Sequence, residues 1–202
     1  HLHFPYPVGE VAQLLGGRSR RTVVSYHSDV VRQRTLLRLY RPAMERVLAR
    51  ADRLLVATPN YLASSETLAR WRTKCTVLPY GIDQRRFQQT SRAHPAVCRL
   101  RELHGPGPII LFVGVLRYYK GVNYLLEAMA GVGGRLLVVG QGPMDASLRR
   151  QAQQLGLGDR VRFVGAVPDA ELPSYYCAAD LFVLPACERS EAFGLVLVEA
   201  LA

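Results

Sequence analysis

The sequence predicts an α/β protein built on parallel sheets, and three observations predict it. Seven short apolar runs recur along the 202 residues with helix-forming segments between them. Each run is continuously apolar rather than alternating in polarity, the pattern of strands covered by helices on both faces. Between Asp83 and Pro108 the pattern fades into the polar stretch QRRFQQTSRAHPAVCRLRELHGPGP, closed by a Gly-Pro cluster, which marks a junction between two halves.

Taken in order, the chain opens on a strand and continues with TVVSY (22–26), a helix over 31–51, LLVAT (54–58), a helix over 60–72 with Asn60 as N-cap, and TVLPY (76–80). The second half alternates IILFVG (109–114), a helix over 121–131, LLVVG (136–140), a helix over 145–155 with Gly156 just past its end, VRFVG (161–165), a helix over 170–179 capped by Asp169, and LFVLP (181–185). Two Rossmann-like domains result: residues 1–83, a linker region over 84–107, and residues 108–202. Ligands of such sheets bind beyond the carboxyl ends of the strands, which puts the loops after Gly114, Gly140, Gly165 and Pro185 on one rim.

Hydrophobic residues make up 49% of the chain, enough for a substantial core, and no apolar stretch approaches the roughly 18–20 residues that span a bilayer. The N-terminus HLHFPYPVGE lacks the basic and apolar regions of a secretory signal. Cys75, Cys98, Cys177 and Cys187 are widely spaced without a C-x-x-C pair, so free thiols in a reducing compartment are expected, hence a cytoplasmic protein. The chain looks cut at both ends, since it starts without methionine and stops inside a helix. The net charge of +10 is uneven: residues 1–86 hold fifteen Lys/Arg against six Asp/Glu, and residues 87–202 eleven against ten. Twenty-four of the twenty-six cations are arginine, which GC-rich codon usage would also produce. The sharper reading has RSRR (18–21) and the face Arg34, Arg38, Arg41 meeting an anionic surface, such as the inner face of a membrane or a lipid-diphosphate acceptor.

Chemistry concentrates in the second half. In the final run, LPACERSEAFGLVLVEALA, Glu191 sits in a loop after the strand and Glu199 about one turn inside the following helix. Two carboxylates so spaced reach different hydroxyl pairs of one elongated ligand, while the helix N-terminus between them offers bare N–H groups to phosphate. Glu199 on an otherwise apolar helix must be exposed or paired. Glu191 could alternatively pair with Arg189. Arg117 and Lys120 lie between the strand IILFVG and the next helix, a position suited to a diphosphate, although both could be solvated surface residues. No D-x-D triplet is present to hold a metal, so no metal is expected and these cations would carry the charge. His27 ends the strand TVVSY, and a lone histidine there is as often structural as functional. His1 and His3 mimic a metal-binding pair, but without a third ligand.

The Glu-x7-Glu run resembles the signature of retaining glycosyltransferases of family 4, also described as glycosyl transferases group 1. FVGVLRYYKGVNYLLEAM (112–129), VVGQGP (138–143), FVGAVPDAEL (163–172), YHSDVVRQ (26–33) and LPYGID (78–83) are similar to segments of that family in the same order and over nearly the whole chain. The resemblance implies a GT-B fold truncated at both ends, an acceptor-side first domain and a nucleotide-sugar-binding second domain. It implies transfer of a hexose from a nucleotide diphosphate sugar to a glycan or lipid-linked acceptor, as in polysaccharide or lipopolysaccharide synthesis in bacteria. The anomeric configuration would be retained, with neither a protein nucleophile nor a cofactor. It assigns Glu191 to the transferred hexose, Glu199 to the ribose hydroxyls and His27 to the donor sugar. Gly114, the backbone of Phe193, Gly194 and Leu195, Gly142 in the neighbouring loop and the Val167 backbone by the base complete the donor site. HLHFPYP is similar to a substrate-side loop of the first domain. The family commonly carries arginine directly after the glycine of its strand, where this chain has Val115. Either Arg117 reaches the same phosphate, or Lys120 alone faces the diphosphate. Two other classes fit parts of the pattern: a sugar-nucleotide epimerase of the same architecture, and a nucleic-acid binder suggested by the isoelectric point near 9.9. Against the second, the aromatics do not interleave with the arginines, and no nucleic-acid partner is expected.

Overall fold

The computed structural model describes residues 1–17, 19–30 and 34–202, the side chains of 34–36 excepted. Arg18 of the RSRR cluster, the 31–33 end of YHSDVVRQ and the Arg34 side chain lie outside the described residues. Two compact units are present: residues 1–81 with 189–193, and residues 82–188 with 194–202.

The first unit begins with β1 (Leu2–Phe4), α1 (Pro7–Gly16), β2 (Val23–Tyr26), α2 (Arg34–Arg50) and β3 (Arg53–Val56), and continues through α3 (Pro59–Ser64), α4 (Glu66–Ala69) and β4 (Cys75–Val77). The strands form one parallel sheet in the order β1-β2-β3-β4. The helix expected over 60–72 is two pieces. Pro59 has no N–H to contribute, so the first piece starts there, and the Thr58 hydroxyl, rather than Asn60, accepts the Tyr61 N–H at 3.0 Å. Ser65 ends that piece and caps the next, accepting the Leu68 N–H at 3.2 Å. Helix α1, absent from the expected elements, is pinned to α2 through the buried Glu10, which accepts the Tyr6 N–H at 2.8 Å and the Tyr40 hydroxyl.

The second unit contains α5 (Arg85–Gln88), α6 (Pro95–His104), β5 (Ile109–Val113), α7 (Val122–Met129) and β6 (Arg135–Val139), followed by α8 (Asp145–Gln154), β7 (Val161–Gly165), α9 (Leu172–Ala178), β8 (Leu181–Phe182) and α10 (Leu195–Leu201). Its parallel sheet runs β7-β6-β5-β8. Two readings need correction here. The stretch 84–107, expected as linker, carries α5 and α6. Helix α6 is short of apolar residues because Val97 alone is its buried anchor, yet Pro95 at its start and Gly105 (φ +73°) at its end are ordinary boundary residues. Helix α9 begins at Leu172 after Glu171, not at an Asp169 cap.

In β5 all five residues are buried. Ile110 and Phe112 pack with Leu126, Met129 and Leu148 on one face, and Ile109, Leu111 and Val113 pack with Leu137 and Tyr176 on the other. Each unit also has a reciprocal clasp at the amino edge of its sheet. The Asp52 N–H donates to the Thr22 carbonyl at 2.8 Å, and the Asp52 carboxylate accepts the Thr22 N–H at 2.8 Å. In the second unit the Asp180 N–H donates to the Ile109 carbonyl at 2.8 Å, and Asp180 accepts the Ile109 N–H at 2.9 Å. Arg21 binds the first carboxylate at 2.8 Å, and Arg92 (3.0 Å) and Arg101 (3.3 Å) bind the second. The backbone N–H bonds, ahead of the arginines, hold both carboxyls below the usual range.

Candidate active site

In the second unit the chain turns at Gly114 (φ +154°) as it leaves β5, and the Lys120 side chain folds back over that glycine: a Cβ built there would lie 3.7 Å from Nζ. The ammonium is also 5.8 Å from the Tyr119 ring centre. Between them Leu116 is fully buried, its N–H donating to the Gln141 carbonyl and its own carbonyl accepting from Met144. Val115 and Arg117 flank this anchor and are both exposed. Gly114 and Lys120 are thus brought together, while among the described residues Arg117 makes no side-chain hydrogen bond or ion pair. Gly121, left-handed at φ +70°, starts α7, and a Cβ there would run into the Pro185 carbonyl, so the loops after β5 and β8 touch at this point. Gly142 fits as tightly against Leu116: a Cβ would lie 2.6 Å from its nitrogen. Val167 is half-buried, its side chain packed against the core cluster that contains Val113 and Val139.

After β8 the chain reaches Gly194 (φ +71°), and Leu195 opens α10. Glu199, half-buried on that helix, accepts the Tyr176 hydroxyl at 2.8 Å, so the carboxylate expected to be exposed or paired is paired. Burial first, then the bond to Glu199 and its charge, push the Tyr176 phenol well above the ordinary tyrosine range and keep it a donor. Tyr176 is itself packed between Phe87 and Phe182. Glu191 and Phe193 group with the first unit, whereas Gly194, Leu195 and Glu199 group with the second.

In the first unit His27 follows β2 directly. Its Nε2 bonds His3 Nδ1 at 2.8 Å, and its Nδ1 bonds the Tyr80 hydroxyl. The His3 and His27 rings stack 5.1 Å apart, and the Phe193 ring meets Tyr80 edge-on at 5.2 Å. Burial, and then the neighbouring His3, lower the His27 pKa, so the ring is neutral at pH 7. Nearby, Asp29 accepts the hydroxyls of Tyr26 and Ser65, both at 2.7 Å, and Arg189 approaches it at 3.7 Å. A cavity of about 490 Å³ opens beside this group, lined by Asp29, Arg41, Arg70, Trp71 and Arg189 among others.

Residues 101–202 match the family described as glycosyl transferases group 1. The chain belongs to that family. It is 43% identical over 200 residues to the D-rhamnosyltransferase WbpZ of Pseudomonas aeruginosa, covering 98% of this chain and 51% of the relative. It is 41% identical to the O-antigen chain mannosyltransferase C of Escherichia coli, covering 98% and 52%. Among solved structures, sucrose-phosphate synthase from Thermosynechococcus elongatus superposes with a TM-score of 0.77 at 30% identity, over 98% of this chain and 53% of that one. The architecture is GT-B, and the chain spans about half the length of the curated relatives it matches.

Three residues of this group 1 glycosyltransferase chain went unassigned by sequence: Tyr176, Tyr80 and Asp29. Tyr176 reads as one of two adjacent aromatics on a helix, with nothing to show which faces Glu199. Tyr80 lies 53 positions from His27, and only the sheet order brings them together. Asp29 was legible as a polar residue inside the quoted YHSDVVRQ segment, but its bonds come from Tyr61 and Ser65, two elements away.

Proposed function

We propose that the protein of which this chain is part transfers a hexose of mannose or rhamnose type from a nucleotide diphosphate donor to a glycan or lipid-linked acceptor, with retention and without a metal. The observation that carries this reading is the pairing, within one unit, of Lys120 folded over Gly114 with Glu199 anchored by Tyr176. The first offers charge to a diphosphate and the second a fixed carboxylate to ribose hydroxyls. As the glycosidic bond breaks, the leaving diphosphate gains negative charge, and preorganised cations stabilise that change; losing one such donor costs roughly 10²- to 10³-fold in rate. Lys120 takes this part first, with Arg117 joining it from the same loop, and Gly114, Gly142, Val167, Gly194 and Leu195 bring backbone close to the ligand. In the retaining step the leaving phosphate accepts the acceptor's proton on the face it departs from, so no protein nucleophile is used. Glu191 and Phe193 act on the sugar, with His27 held behind the ligand-facing edge of the first unit.

The first unit receives the acceptor. Exposed Arg38 and Arg41, with Leu39 between them at 81% exposure, support peripheral contact with an anionic membrane. Four free cysteines support a cytoplasmic location. Among the described residues no helix is long and apolar enough to cross a membrane.

The test is thermal stabilisation of the full-length protein by GDP-, UDP- and dTDP-linked sugars, followed by product analysis with acceptor. Glu199→Ala should abolish donor-induced stabilisation while lowering the unliganded melting temperature only by the few degrees that loss of the Tyr176 hydrogen bond costs. A shift of unchanged size in that variant removes Glu199 from the site, and donor turnover that needs no acceptor points to an epimerase instead.

A further inference from the structure

An imidazole has two ring nitrogens, and both of His27's are occupied inside the first unit, by Tyr80 and by His3. His27 therefore cannot bond a substrate without breaking one of these contacts. The outward end of the row is His3: it is exposed, its Nδ1 is taken by His27, and among the described residues its Nε2 meets no hydrogen-bond partner. His3 sits on β1 in register with Ser25 of β2, while His27 follows β2 and Tyr80 follows β4, so the row lies toward the carboxyl edge of a parallel sheet, where such sheets bind their ligands.

We propose that His3 is the substrate-facing imidazole of the first unit, donating from Nε2 to a hydroxyl oxygen of the acceptor, with His27 and Tyr80 behind it as positioning residues. The inference rests on the transferase reading above and its assignment of the acceptor to this unit. In this proposal the hydrogen bonds run in one direction, starting from the Tyr80 hydroxyl, which lies against His27 Nδ1 and can donate to it. Its O–H donates to His27 Nδ1, His27 Nε2–H donates to His3 Nδ1, and His3 is left with its proton on Nε2. The groups facing His27 are His3 of β1 and Tyr80 after β4; one ring beyond them lie His1, just ahead of β1, against His3, and Phe193 against Tyr80. Asp29, on the same loop as His27, is turned to Tyr26, Ser65 and Arg189.

The experiment uses the full-length protein with a donor that stabilises it. His3→Gln should lower kcat/KM for the acceptor about tenfold while the donor-induced thermal shift stays intact. Tyr80→Phe should move the acidic limb of the kcat/KM profile to higher pH, because neutral His27 loses the hydrogen bond that favours it. Nitrogen NMR of the histidine side chains in the unmodified protein should find His27 neutral at pH 7 with its proton on Nε2. Wild-type acceptor kinetics in His3→Gln, a Tyr80→Phe profile superimposable on wild type, or a cationic or tautomerically averaged His27 at pH 7 each overturns the proposal. If no nucleotide sugar stabilises even the wild type, the transferase reading fails first and takes this inference with it.

Discussion

The two units share one plan and differ in what covers it. Both are four-stranded parallel sheets clasped by an aspartate at the amino edge, but β5 of the second unit is buried at every residue, whereas in β2 and β3 only Val24, Tyr26, Leu54 and Val56 are. Val23, Ser25 and Leu55, on the other face, stay half-exposed. A continuous apolar run therefore predicts a strand in both units, but coverage of both faces only in one. Where packing is one-sided, polar bonds do more: Asp29 gathers two hydroxyls and an arginine beneath the half of the chain that carries most of the positive charge.

The sharpest way to break the comparison is a matched pair of truncations in urea. Leu111→Ala, in the doubly covered strand, should cost about 3–5 kcal/mol, and Leu55→Ala, on the half-open face, about 1 kcal/mol; equal losses would mean that the two sheets are packed alike. Next, Gly121→Ala should cost about 2–3 kcal/mol, since it puts a side chain on a left-handed residue and against the Pro185 carbonyl. Tyr176→Phe should cost about 1 kcal/mol and weaken donor-induced stabilisation, because Glu199 loses its anchor. The smallest effect is shared by both units. Asp52 and Asp180 have lowered folded pKa values, so their contribution is present above the unfolded value of roughly 3.9 and is lost as pH falls below it. Asp180→Asn should flatten that acid loss in unfolding experiments between pH 6 and pH 3, and an unchanged slope would assign it to other carboxylates.

Seven strands were legible because branched and aliphatic residues cluster in short runs; Lys120, Gly114 and Glu199 stand out as candidates because glycine, cation and carboxylate fall near element ends. Helix α1 was not, since PVGEVAQLLG mixes two glycines with an apolar surface left exposed at Val8 and Leu15. LFVLP shortened to Leu181–Phe182, although Val183 still donates to the Leu111 carbonyl, because Pro185 has no N–H to extend the ladder. The row Tyr80–His27–His3 depends on which strands are neighbours and in what register, and residue spacing along the chain carries neither.

The clasp at Asp180 has a reach beyond its own corner. From Ile109 to Gly114 is five residues, about 17 Å of extended chain, and a slip of a single position would exchange the inward and outward sides of every strand residue on the way. One carboxylate at the far margin thus sets the address at which the Gly114 turn begins.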